Sequence, residues 1–229
     1  MWEELIDNEV WYTKNFIDDN LVDLVLEKIK NSEVKNLDGD EQPHIISKSY
    51  YNYNHVKYNI REDKIILEAV VDSLNEILSK IYKPLTMDMI DEKNVLQFTT
   101  KTFDPKKSIY NVHTERKDIY GDFVFINYLT NENGGELVLP NEIMLEDHFQ
   151  HYPKERAHWE NFCQKLSKDG QDPYLAGPLA ITPKRNTCVV MRVGSAHFVN
   201  PITDGSPGSR AVITGWPYAN MNWKDKFKN

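Results

Sequence analysis

The chain has 229 residues, enough for one domain to bury an adequate core, and carries 27 Lys and Arg against 35 Asp and Glu, for a formal net charge of −8. That balance argues against a nucleic-acid backbone as the main partner. Only two cysteines occur, Cys163 and Cys188, which speaks against a disulfide framework and fits a reducing compartment. The opening Met1-Trp2-Glu3-Glu4 lacks the basic-then-apolar order of a signal peptide, and no apolar run is long enough to span a bilayer. The expectation is a soluble, cytoplasmic protein with no membrane partner.

In chain order, Val10-Trp11-Tyr12 and the residues after it predict a short strand, and Asp18, Asp19 or Asn20 supplies a helix cap. Leu21, Leu24, Val25 and Ile29 then recur at helical spacing. A second helix is predicted from about Glu62 to Ile81, with Ile65, Ile66, Ala69, Val70, Leu74, Ile77 and Leu78 as its buried stripe. Both helices are expected to cover one face of a sheet. Between them, Asn36 to Asn59 is polar and rich in tyrosine (Tyr50, Tyr51, Tyr53, Tyr58) and reads as loop and edge strand bordering the mouth of a site.

From Val95 onward, short apolar runs alternate with turns: Val95–Thr100, Phe123–Leu129, Glu136–Leu139, Leu179–Ile181, Cys188–Val193, Phe198–Pro201 and Ala211–Trp216. Such a series predicts an antiparallel sandwich or jelly roll. With the helices it gives an α+β chain of one domain, 1–229: helical support and loop over 1–94, and a jelly-roll core over 95–218. Residues 141–177 interrupt the strand rhythm and read as an insertion, of the kind that forms lids or substrate-contacting loops. Its His148, His151 and His158 lack the Cys or carboxylate spacing of a zinc site and read as solvated. The basic end Lys224 to Lys228 reads as a frayed tail.

The chemistry concentrates in His113-Thr114-Glu115, His197 and Arg210, in that order. Two imidazoles and one carboxylate on one side of a divalent metal leave other coordination positions open. One intervening residue lets His113 and Glu115 point to the same side of an extended strand, while His197 must come from a facing strand. A lone His-x-Glu pair is more often a solvated polar pair than a ligand set, and the strand pattern by itself suits a jelly roll without metal. The ordered set of four is what distinguishes the two.

The residues around these positions resemble the prolyl-hydroxylase branch of the Fe(II)/2-oxoglutarate dioxygenases, from about Tyr110 to Trp216. Tyr110-Asn111-Val112-His113-Thr114-Glu115 resembles Tyr-x-x-His-x-Asp, and Phe125 to Thr130 resembles the Tyr-Leu-Asn strand. Gly134-Gly135-Glu136-Leu137 resembles the Gly-Gly-x-Leu signature, Ile181 to Lys184 the turn before the penultimate strand, and His197 to Pro201 the strand of the distal histidine. Arg210 to Trp216 closes the pattern.

The resemblance implies iron ligands His113, Glu115 and His197, with 2-oxoglutarate chelating the metal and its far carboxylate meeting Arg210 and Tyr128. Arginine suits that task because its planar fork meets a carboxylate in two parallel hydrogen bonds. Tyr110, Leu137, Val199, Thr214 and Trp216 would line the pocket, a role compatible with ordinary core packing. Glu115 stands where the pattern usually has Asp; its arm is one methylene longer, and its oxygens are acceptable ligands. Thr203 to Ser209 lengthens the connection between His197 and Arg210 and is composed of turn formers. Nucleic-acid demethylating relatives carry a second Arg soon after the anchoring one, where this chain reads Ile213-Thr214-Gly215-Trp216.

The expected activity is that of a hydroxylase using Fe(II), 2-oxoglutarate and dioxygen, with decarboxylation to succinate. Its substrate is expected to be a prolyl residue in a peptide or protein, with a free amino acid or other small molecule as the alternative. The Tyr-rich loop, the insertion and Arg192 could serve either. Two rival readings are a non-catalytic jelly-roll binding module and a metal enzyme without 2-oxoglutarate, in which Arg210 and Tyr128 would be structural.

Overall fold

The computed structural model describes residues 1–36, 53–87, 97–103, 110–131, 133–203 and 210–219. Its strands are β1 (Glu3–Ile6), β2 (Val10–Lys14), β3 (Val34–Asn36), β4 (Tyr53–Val56), β5 (Gln97–Phe103), β6 (Tyr110–His113), β7 (Phe123–Tyr128), β8 (Leu137–Leu139), β9 (Leu179–Ile181), β10 (Thr187–Arg192), β11 (His197–Val199) and β12 (Arg210–Trp216). The helices are α1 (Asp19–Lys30), α2 (Lys64–Ile81), the short α3 (Lys117–Tyr120), α4 (Glu142–His151) and α5 (Pro153–Lys168). The chain is α+β.

Among the described residues the strands form two antiparallel sheets, a major one ordered β1-β2-β10-β7-β12-β5-β4-β3 and a minor one ordered β6-β11-β8-β9. The central strands of the major sheet read as continuous apolar runs because both of their faces are covered. Phe123, Phe125, Cys188, Val190, Ala211 and Ile213 point to the helix side and share a core with Val22, Val25 and Ile29 of α1 and Ile66, Val70 and Leu74 of α2. The alternate residues Val124, Tyr128, Val189, Met191, Val212 and Trp216 pack with Leu137, Leu139, Ile181 and Val199 of the minor sheet. The expectation that both helices cover one sheet face holds. Each fully buried aliphatic side chain contributes roughly 1.5–3 kcal/mol relative to exposure, so these two layers supply most of the drive to fold.

Asp18 caps α1, its Oδ1 accepting from the Asn20 amide at 2.8 Å, and Asp63 caps α2 through the Ile66 amide at 3.4 Å. The buried stripe of α2 includes Leu67 and Val71, while Ile65 is 67% exposed, correcting its expected place in the core. Leu24 of α1 is likewise exposed. Asn186, in the turn before β10 and at φ +58°, ties this layer to the sheet. Its side chain accepts from the Ile17 amide at 3.1 Å and donates to the Ile17 carbonyl at 2.7 Å.

The 141–177 insertion forms a helical hairpin behind the minor sheet. Asn141 caps α4 through the Met144 amide at 2.9 Å, and Pro153 occupies the first turn of α5, where a missing amide hydrogen costs nothing. Leu145 and Phe149 pack on Val112, Val138, Ala196 and Phe198, the face of the minor sheet turned away from the major one. These apolar residues of the insertion back the minor sheet, while Ile143 is exposed. His148 also departs from expectation: it is buried, not solvated, and its Nε2 lies 2.9 Å from Glu155 Oε2. His151 and His158 are exposed as expected.

Cys163 and Cys188 are both free thiols. Among the described residues no helix is long and apolar enough to cross a membrane. Most of the Tyr-rich segment and the basic tail lie outside the described residues.

Candidate metal centre

The two histidines meet through strand register. In the minor sheet His197 of β11 pairs directly with His113 of β6, and directly opposed residues of an antiparallel pair project from the same face with Cβ atoms about 4.5–5.5 Å apart. The imidazole centroids lie 4.3 Å apart. Val112 and Phe198, the alternate positions, face the hairpin instead. Glu115 follows just past the end of β6, and the intervening Thr114 is buried, its hydroxyl accepting from the Gly194 amide at 3.0 Å. That bond fixes the segment bearing Glu115 to the turn before β11.

Ligand atoms of His113, Glu115 and His197 all lie within 4.8 Å of one another. His197 Nε2 stands 3.8 Å from Glu115 Oε1. On the other side of the ring, Nδ1 is 3.1 Å from the Ser195 carbonyl. A carbonyl only accepts, so Nδ1 carries the proton and Nε2 presents its lone pair to the cluster. Burial pushes His197 down to about 4, keeping it neutral, the form that binds metal. Burial also raises Glu115, an effect opposed chiefly by the charge of His113. Glu115 Oε2 is buried without a hydrogen-bond partner among the described residues. A buried carboxylate oxygen with no donor, beside a lone-pair nitrogen, suits a cation.

Arg210 begins β12 and is buried. Its Nη1 donates to the Gly135 carbonyl at 2.9 Å, and its Cζ lies 5.4 Å from the centroid of the Tyr128 ring. Gly134 and Gly135 both have positive φ, +76° and +69°. In that region an L side chain is strained, which gives the Gly-Gly pair a steric reason. Tyr128 is buried, its hydroxyl has no hydrogen-bond partner among the described residues, and burial pushes the phenol up to about 12. A neutral phenol donor beside a guanidinium is a pair that fits a carboxylate.

Leu137, Val199, Thr214 and Trp216 are buried, and all but Thr214 belong to the same inter-sheet core as Tyr128. The side chain of Tyr110 lies outside the described residues, as do positions 204–209 of the long turn. Arg192 is not at this site; its guanidinium covers the Phe123 ring and donates to the Asn8 carbonyl. Lys101 was not anticipated: it pairs with Val212 across β5 and β12, and its Nζ lies 5.9 Å from the Trp216 ring centroid. The Thr-Thr-Lys-Thr run of β5 carries too little hydrophobic alternation to reveal which face the lysine takes.

No protein-family model and no curated protein matches the chain. Solved structures do. A prolyl-4-hydroxylase from Pseudomonas putida aligns over 93% of this chain and 94% of its own, at 12% identity and a TM-score of 0.52. A prolyl hydroxylase from Trichoplax adhaerens, solved in complex with a peptide fragment of the hypoxia inducible factor oxygen degradation domain, aligns over 97% of this chain and 89% of its own, at 12% identity and a TM-score of 0.58. The chain therefore has a prolyl hydroxylase-like fold.

Proposed function

We propose that this chain is an Fe(II)- and 2-oxoglutarate-dependent oxygenase that hydroxylates prolyl residues of a peptide or protein, its two sheets forming a double-stranded β-helix within one domain. The observation that carries the reading is the convergence of His113, Glu115 and His197, with ligand atoms within 4.8 Å of one another. Iron with 2-oxoglutarate and dioxygen would supply oxidising power for a C–H bond, giving alcohol, succinate and CO2.

The protein's own part is positioning. His113, Glu115 and His197 hold the metal and leave its remaining positions open. Arg210 and Tyr128 take the far carboxylate of 2-oxoglutarate, the first by charge and the second by a hydroxyl that has no partner among the described residues. Tyr110, Leu137, Val199, Thr214 and Trp216 wall the pocket. A peptide substrate is favoured by the peptide complex of the Trichoplax adhaerens structure.

The test needs no substrate. Fe(II) and then 2-oxoglutarate are added anaerobically to metal-free protein while the visible metal-to-ligand charge-transfer band is followed. A band that requires both additions, fails in Glu115→Ala and weakens in Arg210→Ala is expected. A flat spectrum from folded protein would overturn the reading in favour of a binding module.

A further inference from the structure

Glu115 lies two residues past the end of β6, beyond the ladder that sets His113 opposite His197. Its place therefore depends on what holds the chain on either side of it. On the N-terminal side, Thr114 accepts from the Gly194 amide. On the C-terminal side, the backbone amide of Lys117 donates to Gln171 Oε1 at 2.8 Å, and Gln171 Nε2 donates to Asp118 Oδ1 at 2.9 Å. A backbone amide only donates and a carboxylate only accepts, so these partners fix which way the Gln171 side chain is turned. Asp118 also accepts from Nε and Nη2 of Arg116 at 3.0 and 2.9 Å, and that Nη2 stands 3.0 Å from Asp169. Partly exposed ion pairs of this kind are individually weak, which leaves the two bonds of Gln171 as the directional part of the contact.

Gln171 is itself held in place. Helix α5 ends at Gly170, whose φ is +70°. The Gly170 amide donates to the Ser167 carbonyl at 3.0 Å and the Gln171 amide to the Leu166 carbonyl at 2.9 Å, the closing bonds of a Schellman motif. Leu166 is buried. Three residues beyond Gln171, the Tyr174 amide donates to the Gly194 carbonyl at 3.1 Å, and the Tyr174 carbonyl accepts from Ala196 at 2.8 Å. The exit of the 141–177 insertion therefore touches both the segment that carries Glu115 and the turn that leads into His197. Thr114, Gly194, Tyr174, Gln171 and Lys117 form a closed circuit of contacts around the carboxylate ligand.

Resting on the oxygenase reading, we infer that Gln171 is a positioning residue for the carboxylate ligand. Through the Lys117 amide and Asp118 it sets where the Glu115 side chain starts, and the insertion is the element that supplies it. A glutamate ligand needs this more than an aspartate would, because it brings one more rotatable bond whose freedom is lost on coordination. His113 and His197 do not depend on it, since their spacing follows from the register of β6 and β11.

The test is calorimetric titration of full-length, metal-free protein with Co(II), which imidazole sites bind more tightly than Fe(II) or Mn(II). The four proteins of a double-mutant cycle are compared: wild type, Gln171→Met, Glu115→Ala and the double variant. Gln171→Met keeps the length of the side chain and removes both hydrogen bonds. It is expected to weaken Co(II) binding about threefold to tenfold, less than loss of a direct partner of the ligand would cost, because Gln171 acts through the backbone. In the Glu115→Ala background the same substitution should leave Co(II) affinity unchanged, a dependence that a merely structural role would not produce. A loss of equal size in both backgrounds, or no loss in either, would overturn the inference. Should Gln171→Met not fold, Gln171→Asn retains the amide but draws it back by one methylene, and is expected to give the same pattern, read in the same way. A Glu115→Ala protein that binds Co(II) as tightly as the wild type would instead sink the metal-centre reading, and this inference with it.

Discussion

Arg210 rests on the backbone of Gly135: its Nη1 donates to the Gly135 carbonyl at 2.9 Å, and a Cβ at position 135 would stand 2.3 Å from that same nitrogen. The absence of a side chain at Gly135 is therefore what lets the guanidinium reach its place. Gly135→Ala is expected to cost about 1–2 kcal/mol of stability from the left-handed backbone. It should also displace Arg210 and weaken 2-oxoglutarate binding about tenfold or more, since a charge-assisted pair is lost. Titration of 2-oxoglutarate into Mn(II)-loaded protein checks this; wild-type affinity in the variant would show that Arg210 is not the anchor.

Tyr128 separates a binding role from a packing role. Its hydroxyl is buried with no partner among the described residues, so Tyr128→Phe should leave stability unchanged or raise it by up to about 1 kcal/mol, by removing an unsatisfied group. The same variant should bind 2-oxoglutarate several-fold more weakly. Thermal melts and co-substrate titration, run side by side, distinguish the two effects. A phenol needed only for packing would give the opposite pattern, lower stability and unaltered binding.

His148 and Glu155 form a buried pair at 2.9 Å on the outer face of β11, where the His148 ring lies 4.1 Å from that of Phe198. Removing one partner leaves a desolvated group uncompensated, so His148→Ala should destabilise the metal-free protein by roughly 3–5 kcal/mol. Replacing both, as in His148→Phe with Glu155→Leu, should recover most of the loss. Urea denaturation of the two variants measures the difference. If the single and double variants were equally unstable, lost packing and not the stranded carboxylate would be the cause.

Acid should act on the metal-free protein through His197. Its folded-state value, about 4, lies below the ordinary 6.5 of an exposed imidazole, so the unfolded chain takes up the proton first. Stability from this group is complete above about pH 6.5 and is lost as the pH falls toward 4, by at most roughly 3 kcal/mol. His197→Gln, which cannot titrate there, should show a flatter dependence between pH 7 and pH 4.5 in urea midpoints. Parallel curves for the two proteins would refute the assignment.

The elements legible in the sequence are those whose hydrophobic period is long or whose runs are buried on both faces. Thus α2 and strands β7, β8, β10 and β12 fall within about two residues of expectation. By contrast β1 and the four-residue β6 are short and polar, and pairing with a neighbour rather than composition makes them strands. The insertion misleads because helices with weak amphipathicity and many charges look solvated until the sheet they cover is known. His148 illustrates this, since only the partner seven residues away, Glu155, allows it to be buried. Of the site, the His113, Glu115 and His197 cluster and Arg210 are legible through their order. Lys101 is not, because a lysine flanked by threonines has no facing until its strand is paired.

The cross-strand pairing of His113 with His197 carries a consequence for inheritance. A slip of one residue in β11 would present Phe198 to the cavity and press an imidazole into the apolar seam under the hairpin, undoing a layer of core together with the cluster. Selection for a folded chain and selection for the histidine pair thus act on the same register. The geometry of the pair is held by the backbone register itself, not by the composition of the residues around it.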